Sequence, residues 1–142
     1  MSTLGIVVTA IVAALAVASV LGVTINRRSG ALRATEPVSD QDTPYLGLSQ
    51  IGPTVVHFSA VWCGPCASVR RVVDQVCAEL PDVSHVEIDI DANPAAAKHL
   101  SVLSLPTTFV FDAEGKRRYR SVGVPTVAEL RKALQSLGTI RP

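Results

Sequence analysis

The chain has 142 residues, and its 13 Lys and Arg side chains nearly balance 12 Asp and Glu. This balance gives no support for a nucleic-acid partner, and none is expected. Three cysteines are too few for a secreted domain built on a disulfide framework. We therefore predict one folded domain of ordinary size with an appended segment.

An uncharged apolar segment lies near the start of the chain, from Leu4 to Ile25. At about 1.5 Å per residue, such a helix matches the apolar thickness of a bilayer. Arg27 and Arg28 follow it and no basic side chain precedes it, so the positive-inside rule predicts a cytoplasmic location for the domain. A cleaved signal peptide is the alternative, suggested by Ala16–Ala18, but the basic start of such peptides is missing. We predict a single-pass membrane anchor over 1–28.

Turn-forming residues dominate the next segment, 29–44, which is predicted to be a linker. The folded domain is predicted over 45–142. Ala31–Thr35 could supply a short first strand, and Tyr45–Ile51 could supply an abbreviated first helix. The alternative is that both elements are largely absent.

The first half of the domain alternates strand and helix patterns. Thr54–Ala60 is an apolar run typical of a central strand. Apolar residues then recur at helical spacing from Val69 to Leu80. Val86–Ile90 alternates apolar and acidic residues, which predicts a strand. A short helix is predicted from Pro94 to Leu100, because Pro is favoured at the first helical position.

The second half of the domain predicts two strands and a helix. Thr108–Phe111 and Lys116–Val122 are strands joined by a turn, and the basic residues of the second are typical of a protected edge strand. Thr126 and Glu129 form a capping box for a last helix, Val127–Leu137. The complete order predicts the α/β class, with a mixed sheet flanked by helices.

A five-residue motif, Trp62-Cys63-Gly64-Pro65-Cys66, stands between the first strong strand and its helix. Backbone N–H groups at a helix N-terminus favour a thiolate over a thiol. Since the thiolate is the form that attacks disulfides, Cys63 suits this position. The two-residue spacing lets Cys66 close an intramolecular disulfide.

This motif resembles the active site of the thioredoxin family. The resemblance implies a thioredoxin-like fold, an exposed nucleophilic Cys63, a more buried resolving Cys66 and no cofactor beyond their redox-active disulfide. It further implies protein disulfides as substrates and an upstream reductase as recycling partner. The alternatives are a non-enzymatic interaction module at the membrane and an extracytoplasmic thiol oxidoreductase of the cytochrome-maturation type.

Two further positions follow from the same resemblance. Leu105 and Pro106 match the family's cis-proline loop beside the active-site sulfurs. His57 stands where typical thioredoxins have a buried acid that assists proton removal from the second cysteine. Its imidazole could be that base or a satisfied core histidine. Ser59, Val61 and Arg71 are other departures from the family pattern, and they favour a different reductase partnership.

The third cysteine, Cys77, lies three helical turns after Cys66 on the same apolar stripe. Free cysteine is commonly buried as a small apolar residue, and that is the prediction here. No metal site is expected, because Cys77 should point into the core.

Overall fold

The computed structural model describes residues 2–39 and 46–138, apart from the side chains of 26–28 and 36–39. In chain order the elements are α1 (Thr3–Arg28), β1 (Arg33–Ser39), β2 (Thr54–Ser59), α2 (Cys66–Glu79), β3 (Ser84–Asp89), α3 (Pro94–His99), β4 (Thr107–Phe111), β5 (Lys116–Val122) and α4 (Val127–Gly138).

Five strands form one mixed sheet in the order β1-β5-β4-β2-β3. The pair β2–β3 is parallel, and the remaining pairs are antiparallel. An apolar cluster with α2 and α4 covers one face, and a second cluster with α3 covers the other. The predicted mixed sheet flanked by helices is therefore confirmed.

The central strand β2 presents alternate residues to these two clusters. Val56 and Phe58 face α3, where Phe58 meets Phe109 edge to face with ring centroids 6.1 Å apart. Val55 faces α2 and α4 and belongs to the same apolar cluster as Val73. Full burial of each such side chain stabilises the fold by roughly 1.5–3 kcal/mol. These contacts fix the strand on which the motif is mounted.

The start of the domain differs from the prediction in one of its two elements. A first strand is present as β1, a little later than Ala31–Thr35. The helix predicted over Tyr45–Ile51 is wrong for 46–51, while Tyr45 lies outside the described residues. Gly47 has a φ of +66°, a left-handed conformation that interrupts a helix. Leu46 nevertheless packs into the core from this irregular segment, with 1% of its surface exposed.

The basic strand β5 is not an edge strand, contrary to the prediction, because β1 pairs with it. Several basic side chains of β5 contact partners within the domain. The guanidinium groups of Arg117 and Arg120 lie 5.7 and 5.5 Å from the centre of the Phe109 ring. Arg118 forms an ion pair with Asp112 at 3.1 Å. These contacts explain the basic run as internal to the fold.

Both long helices of the domain follow their sequence patterns. The helix α2 starts at Cys66, three residues before the predicted Val69, because the apolar stripe begins only after its first turn. In α4, the backbone N–H of Glu129 donates to Thr126 Oγ1, and the backbone N–H of Thr126 donates to the Glu129 carboxylate, each at 3.2 Å. The predicted capping box is confirmed.

The apolar helix α1 precedes the domain and is exposed over Thr3–Ile25. Residues Thr3–Ile25 contain an 18-residue window with a mean hydropathy of 2.7 and are long and apolar enough to cross a membrane, a test that a signal sequence near the N-terminus also passes. Just after α1, the N–H of Gly30 donates to Val122 O at 2.6 Å, and Ser121 Oγ donates to Gly30 O at 2.7 Å. A side chain at Gly30 would overlap the carbonyl of Val124, so only glycine fits this contact.

Candidate active site

The two motif cysteines lie where β2 passes into α2. Cys63 is half-buried at the turn, and its N–H donates to Ala60 O at 3.0 Å. Cys66 opens α2, is 2% exposed and is joined to Cys63 by a disulfide with a Cα–Cα distance of 5.5 Å. The first turn of α2, which is fully described, has no acidic side chain. The positive end of the helix therefore acts on the sulfurs without a competing anion.

The remaining motif residues form the exposed rim around Cys63. Trp62 is 67% exposed, and its indole N–H donates to Asp91 Oδ2 at 3.0 Å. Gly64 has open space on its side-chain side, and Pro65 occupies the position before the helix with a φ of −66°. Val61 beside them is 96% exposed. Val61 and Trp62 thus give the rim an exposed apolar surface.

The Leu105–Pro106 peptide bond is cis, as the resemblance implies. Thr107 follows it at the start of β4 and pairs with Phe58 near the end of β2. The Pro106 carbonyl accepts a hydrogen bond from Gly123 N at 2.9 Å. Because β2 ends and β4 begins at the same end of the sheet, the cis-proline loop and the motif are brought together.

His57 is completely buried on the β2 face that is covered by α2. Its Nδ1 lies 2.8 Å from Nε2 of His85, and the two rings stack with centroids 5.0 Å apart. Its Nε2 lies 3.6 Å from Glu87 Oε1. Burial lowers the pKa of His57 from 6.5 to about 4, with the nearby Glu87 carboxylate opposing this shift. His57 is therefore neutral at physiological pH.

Glu87 lies opposite His57 on β3 and accepts three hydrogen bonds from two side chains. Ser59 Oγ donates to Glu87 Oε1 at 2.7 Å, and the Arg70 guanidinium donates to both carboxylate oxygens. The hydrogen bonds from Arg70, the largest cause, lower the pKa of Glu87 to about 2. The carboxylate is thus a fixed negative charge near Nε2 of His57.

His85, Glu87 and Arg70 were not predicted as parts of this site. Their position depends on the parallel register that pairs His57 with Glu87, which is a long-range feature. A signal was available in β3, where polar residues 85, 87 and 89 alternate with apolar ones. Such a polar face beside His57 could have marked the cluster.

Cys77 lies outside the site. It packs against the apolar cluster of α2 and α4 but is only half-buried, less than the predicted core position, and burial raises the pKa of its thiol. A more buried, less acidic thiol is a poor nucleophile at neutral pH.

A disulfide at a helix N-terminus with a cis-proline loop beside it is typical of a thiol–disulfide exchange protein. Comparison with known proteins agrees. A family model described as Thioredoxin matches residues 47–136. A thioredoxin of Mycolicibacterium smegmatis is 40% identical over 106 residues, covering 71% of this chain and 92% of that protein.

A thioredoxin of Chlamydia trachomatis is 42% identical over 73 residues, 51% of this chain and 71% of that protein. The solved structure of thioredoxin from Trypanosoma brucei brucei has a TM-score of 0.58 and 29% identity, covering 75% of this chain and 96% of that one. The chain belongs to the thioredoxin family. It is a thioredoxin-type disulfide oxidoreductase whose cysteine pair is Cys63 and Cys66.

Proposed function

We propose that this protein is a membrane-anchored oxidoreductase that reduces disulfides of other proteins through the Cys63–Cys66 dithiol. The observation that carries the proposal is the unequal burial of the two cysteines at the start of α2. Cys63 is half-buried beside an exposed rim, whereas Cys66 is 2% exposed. Only Cys63 is accessible to a substrate as large as a protein.

The first step is attack by the Cys63 thiolate on one sulfur of the substrate disulfide. The substrate S–S bond breaks, one substrate sulfur leaves as a thiolate that water protonates, and Cys63 becomes bonded to the other sulfur. The helix start at Cys66 and the absence of an acidic residue in its first turn, all of which is described, favour the thiolate of Cys63.

The second step is attack by Cys66 on Cys63 Sγ. The bond from Cys63 to the substrate breaks, and the second substrate thiolate leaves. The substrate has gained two electrons, and the cysteine pair has lost two. Cys66 must lose its proton to react, and the buried neutral imidazole of His57 is the base assigned to it. An upstream reductase of unknown identity then returns the pair to the dithiol.

The anchor and the site lie at the same end of the sheet. Gly30, just after α1, is hydrogen-bonded to Val122 at the end of β5, and Gly123 donates to the carbonyl of Pro106. These contacts support a site that works close to a membrane surface, on disulfides within reach of it. They apply equally to either side of the membrane.

A cytoplasmic location favours reduction, because the cytoplasm keeps thiols reduced. Arg27 and Arg28 after α1 support this orientation. Exposure of an engineered surface cysteine to an impermeant thiol reagent tests it. Labelling only after lysis is expected, and labelling of intact cells would instead favour the extracytoplasmic oxidoreductase.

Reduction of insulin by the full chain in detergent, with dithiothreitol as reductant, tests the activity. Wild type should accelerate insulin reduction, and Cys63→Ser should reduce the rate to the background of dithiothreitol alone. Cys77→Ser is the matched control and should retain the wild-type rate. Equal activity of Cys63→Ser and wild type would refute the proposal, and an inactive wild type would favour a non-enzymatic interaction module.

A further inference from the structure

A cavity of about 470 Å³ lies between the end of α1 and the β1–β5 pair of the sheet. Ile25 and Ser29 line it from the helix end, and Arg33 and Arg120 line it from the two strands. The motif residues 62–66 contribute nothing to its lining, so it is separate from the disulfide. No acidic side chain lines it among the described residues. The cavity is therefore a positively charged space beside the apolar helix.

The two arginines of the cavity stand directly opposite each other in the sheet. Arg33 is the antiparallel partner of Arg120, so their side chains lie on one face with Cβ atoms about 4.5–5.5 Å apart. Like charges at such positions repel and weaken the pairing of the strands. Within the part of the chain that the structure describes, no ion pair includes either arginine. An anion bound between the two guanidinium groups would remove this repulsion.

A neighbouring arginine of β5 shows how such a charge is otherwise balanced. Arg118 forms an ion pair with Asp112 at 3.1 Å. The Arg120 guanidinium instead lies 5.5 Å from the centre of the Phe109 ring, and its Nη2 donates to Ser101 O at 2.9 Å. These two contacts hold the group in place, and to the described residues they commit one of its N–H donors. Arg120 is thus a positioned cation whose remaining donors can bind a ligand.

The cavity lies where the apolar part of α1 ends. Ile25 is the last residue of the segment that is long and apolar enough to cross a membrane, and it is 64% exposed. Ser29 follows four residues later, and its N–H donates to Ile25 O at 3.2 Å, so the two lie on one side of the helix. The rise between them is about 6 Å. In a spanning α1, the cavity therefore extends from the level of the acyl chains to the level of the lipid phosphates.

We infer that this cavity binds the headgroup of an anionic phospholipid. The phosphate lies between Arg33 and Arg120, because guanidinium groups present paired N–H donors that match phosphate oxygens. Ile25 contacts the start of the acyl chains. The inference rests on the membrane anchor of the proposed function and gives that anchor a second contact with the bilayer.

The apolar part of the lining favours a lipid over a soluble phosphate. A soluble anion would leave Ile25 and Val122 in water, whereas a lipid covers them with its own apolar atoms. The exposed apolar side chains of Thr3–Ile25 continue this surface along α1. Basic groups at the surface of a bilayer are attracted to anionic lipids, which adds to the binding.

A bound headgroup would restrain the domain relative to the bilayer. The chain after α1 is joined to β5 by hydrogen bonds from Gly30 N to Val122 O at 2.6 Å and from Ser121 Oγ to Gly30 O at 2.7 Å. The lipid adds a contact from the bilayer to Arg33 and Arg120 of the same strand pair. The motif, at the same end of the sheet, is then held at a constant orientation to the membrane.

Native mass spectrometry of the full chain in detergent tests the site, with phosphatidylglycerol and phosphatidylcholine added in equal amounts. Wild type should retain one phosphatidylglycerol in preference to phosphatidylcholine. Arg33→Gln/Arg120→Gln should lower this preference by roughly 10- to 30-fold, because each basic group near a bilayer contributes about a fivefold attraction.

Arg131→Gln/Lys132→Gln is the matched control, since it removes the same charge from α4, which covers the other face of the sheet. This variant should keep the wild-type preference. An equal loss in both double variants would overturn the site, because net charge alone would then explain the binding. Soluble glycerol phosphate in excess should leave the lipid bound, and its complete displacement of the lipid would overturn the lipid assignment.

Photo-crosslinking of wild type decides the question even if the variants fold poorly. Phosphatidylglycerol with a diazirine on its headgroup, in vesicles that are mostly phosphatidylcholine, should label the full chain within 25–35 or 120–122. Peptide mass spectrometry locates the label, and labelling only outside both ranges would overturn the site.

Two further measurements separate failure of the site from failure of the proposed function. Arg33→Gln/Arg120→Gln should reduce insulin in detergent at the wild-type rate, and an inactive wild type in that assay would refute the proposed function instead. A membrane-extracted protein that begins after α1 would refute the anchor and the site together. An intact, active chain that retains no phosphatidylglycerol would overturn the site alone.

Discussion

The six residues of β2 alternate between two faces of the sheet, and the two faces differ in chemistry. On the face toward α3, Val56 and Phe58 are fully buried in an apolar cluster. On the face toward α2, His57 and Ser59 are also buried, but each contacts polar groups of β3. One face therefore gives rigidity, and the other holds a titratable group on the strand that leads into the motif.

The difference shows how a core strand can include a histidine. A buried polar side chain is costly unless it has partners, and β3 provides His85 and Glu87 at matching positions. Arg70 of α2 then covers the carboxylate from outside. The apolar face needs no such support, so the two faces should respond differently to mutation and pH.

The largest effect is expected on the apolar face. Phe58→Ala should reduce the free energy of unfolding by about 3–5 kcal/mol, because it leaves a cavity beside Phe109. Urea unfolding of the oxidised protein measures this loss. Insulin reduction at low temperature should persist, since the variant leaves the polar face in place. A loss below about 1 kcal/mol would contradict the assigned role of this face.

The polar face should make stability depend on pH. The pKa of His57 is about 4 in the folded protein and 6.5 ordinarily, so only the unfolded chain binds this proton between those values. Stability should therefore fall as pH decreases from 6.5 to 4, by about 2 kcal/mol at pH 5 relative to pH 7. The lowered pKa of Glu87 adds a loss only below pH 4.5.

Urea unfolding of the oxidised protein at pH 5, 6 and 7 measures this dependence. His57→Gln should flatten it, and the exposed-site variant His99→Gln should not. The same slope in wild type and His57→Gln would show that the histidine is not held neutral by burial.

The smallest expected effect is a change in the pKa of His57 when one of two similar ion pairs is removed. Arg70 binds Glu87 beside His57, while Arg131 binds Glu79 across the exposed side of α2 and α4. Exposed pairs contribute little stability, so Arg70→Gln and Arg131→Gln should both unfold near the wild-type urea midpoint at pH 7. Only Arg70→Gln should raise the pKa of His57, because the Arg70 charge lowers it.

Titration of His57 by NMR in the two variants measures this difference. An equal pKa of His57 in the two variants would contradict the electrostatic effect of Arg70 on the buried histidine.

Local patterns predicted most of the fold. The periodicity of 69–80 and the capping box at Thr126 depend on neighbours within one helix, and both are found in the structure. The pairing of β1 with β5 joins distant segments and was missed, which made β5 a wrongly predicted edge. Gly47 interrupts the predicted first helix through its backbone conformation.

The candidate site also has one part that local sequence patterns predict and one part that they do not. The motif cysteines and Pro106 lie in short recognisable stretches, and the structure brings them to one end of the sheet. The partners of His57 depend on the register between β2 and β3, which no local pattern specifies. The alternation in β3 marks a polar face, but only the folded structure shows that His85 contacts His57.

Trapping of the mixed disulfide tests the central claim most directly. The full-length Cys66→Ser variant, mixed with oxidised insulin and quenched with acid, should accumulate one covalent adduct through Cys63, identified by mass spectrometry. Cys63→Ser should form none, because Cys66 is buried. An adduct through Cys66 in Cys63→Ser, or none in Cys66→Ser, would contradict the assignment of Cys63 as nucleophile and Cys66 as resolving thiol.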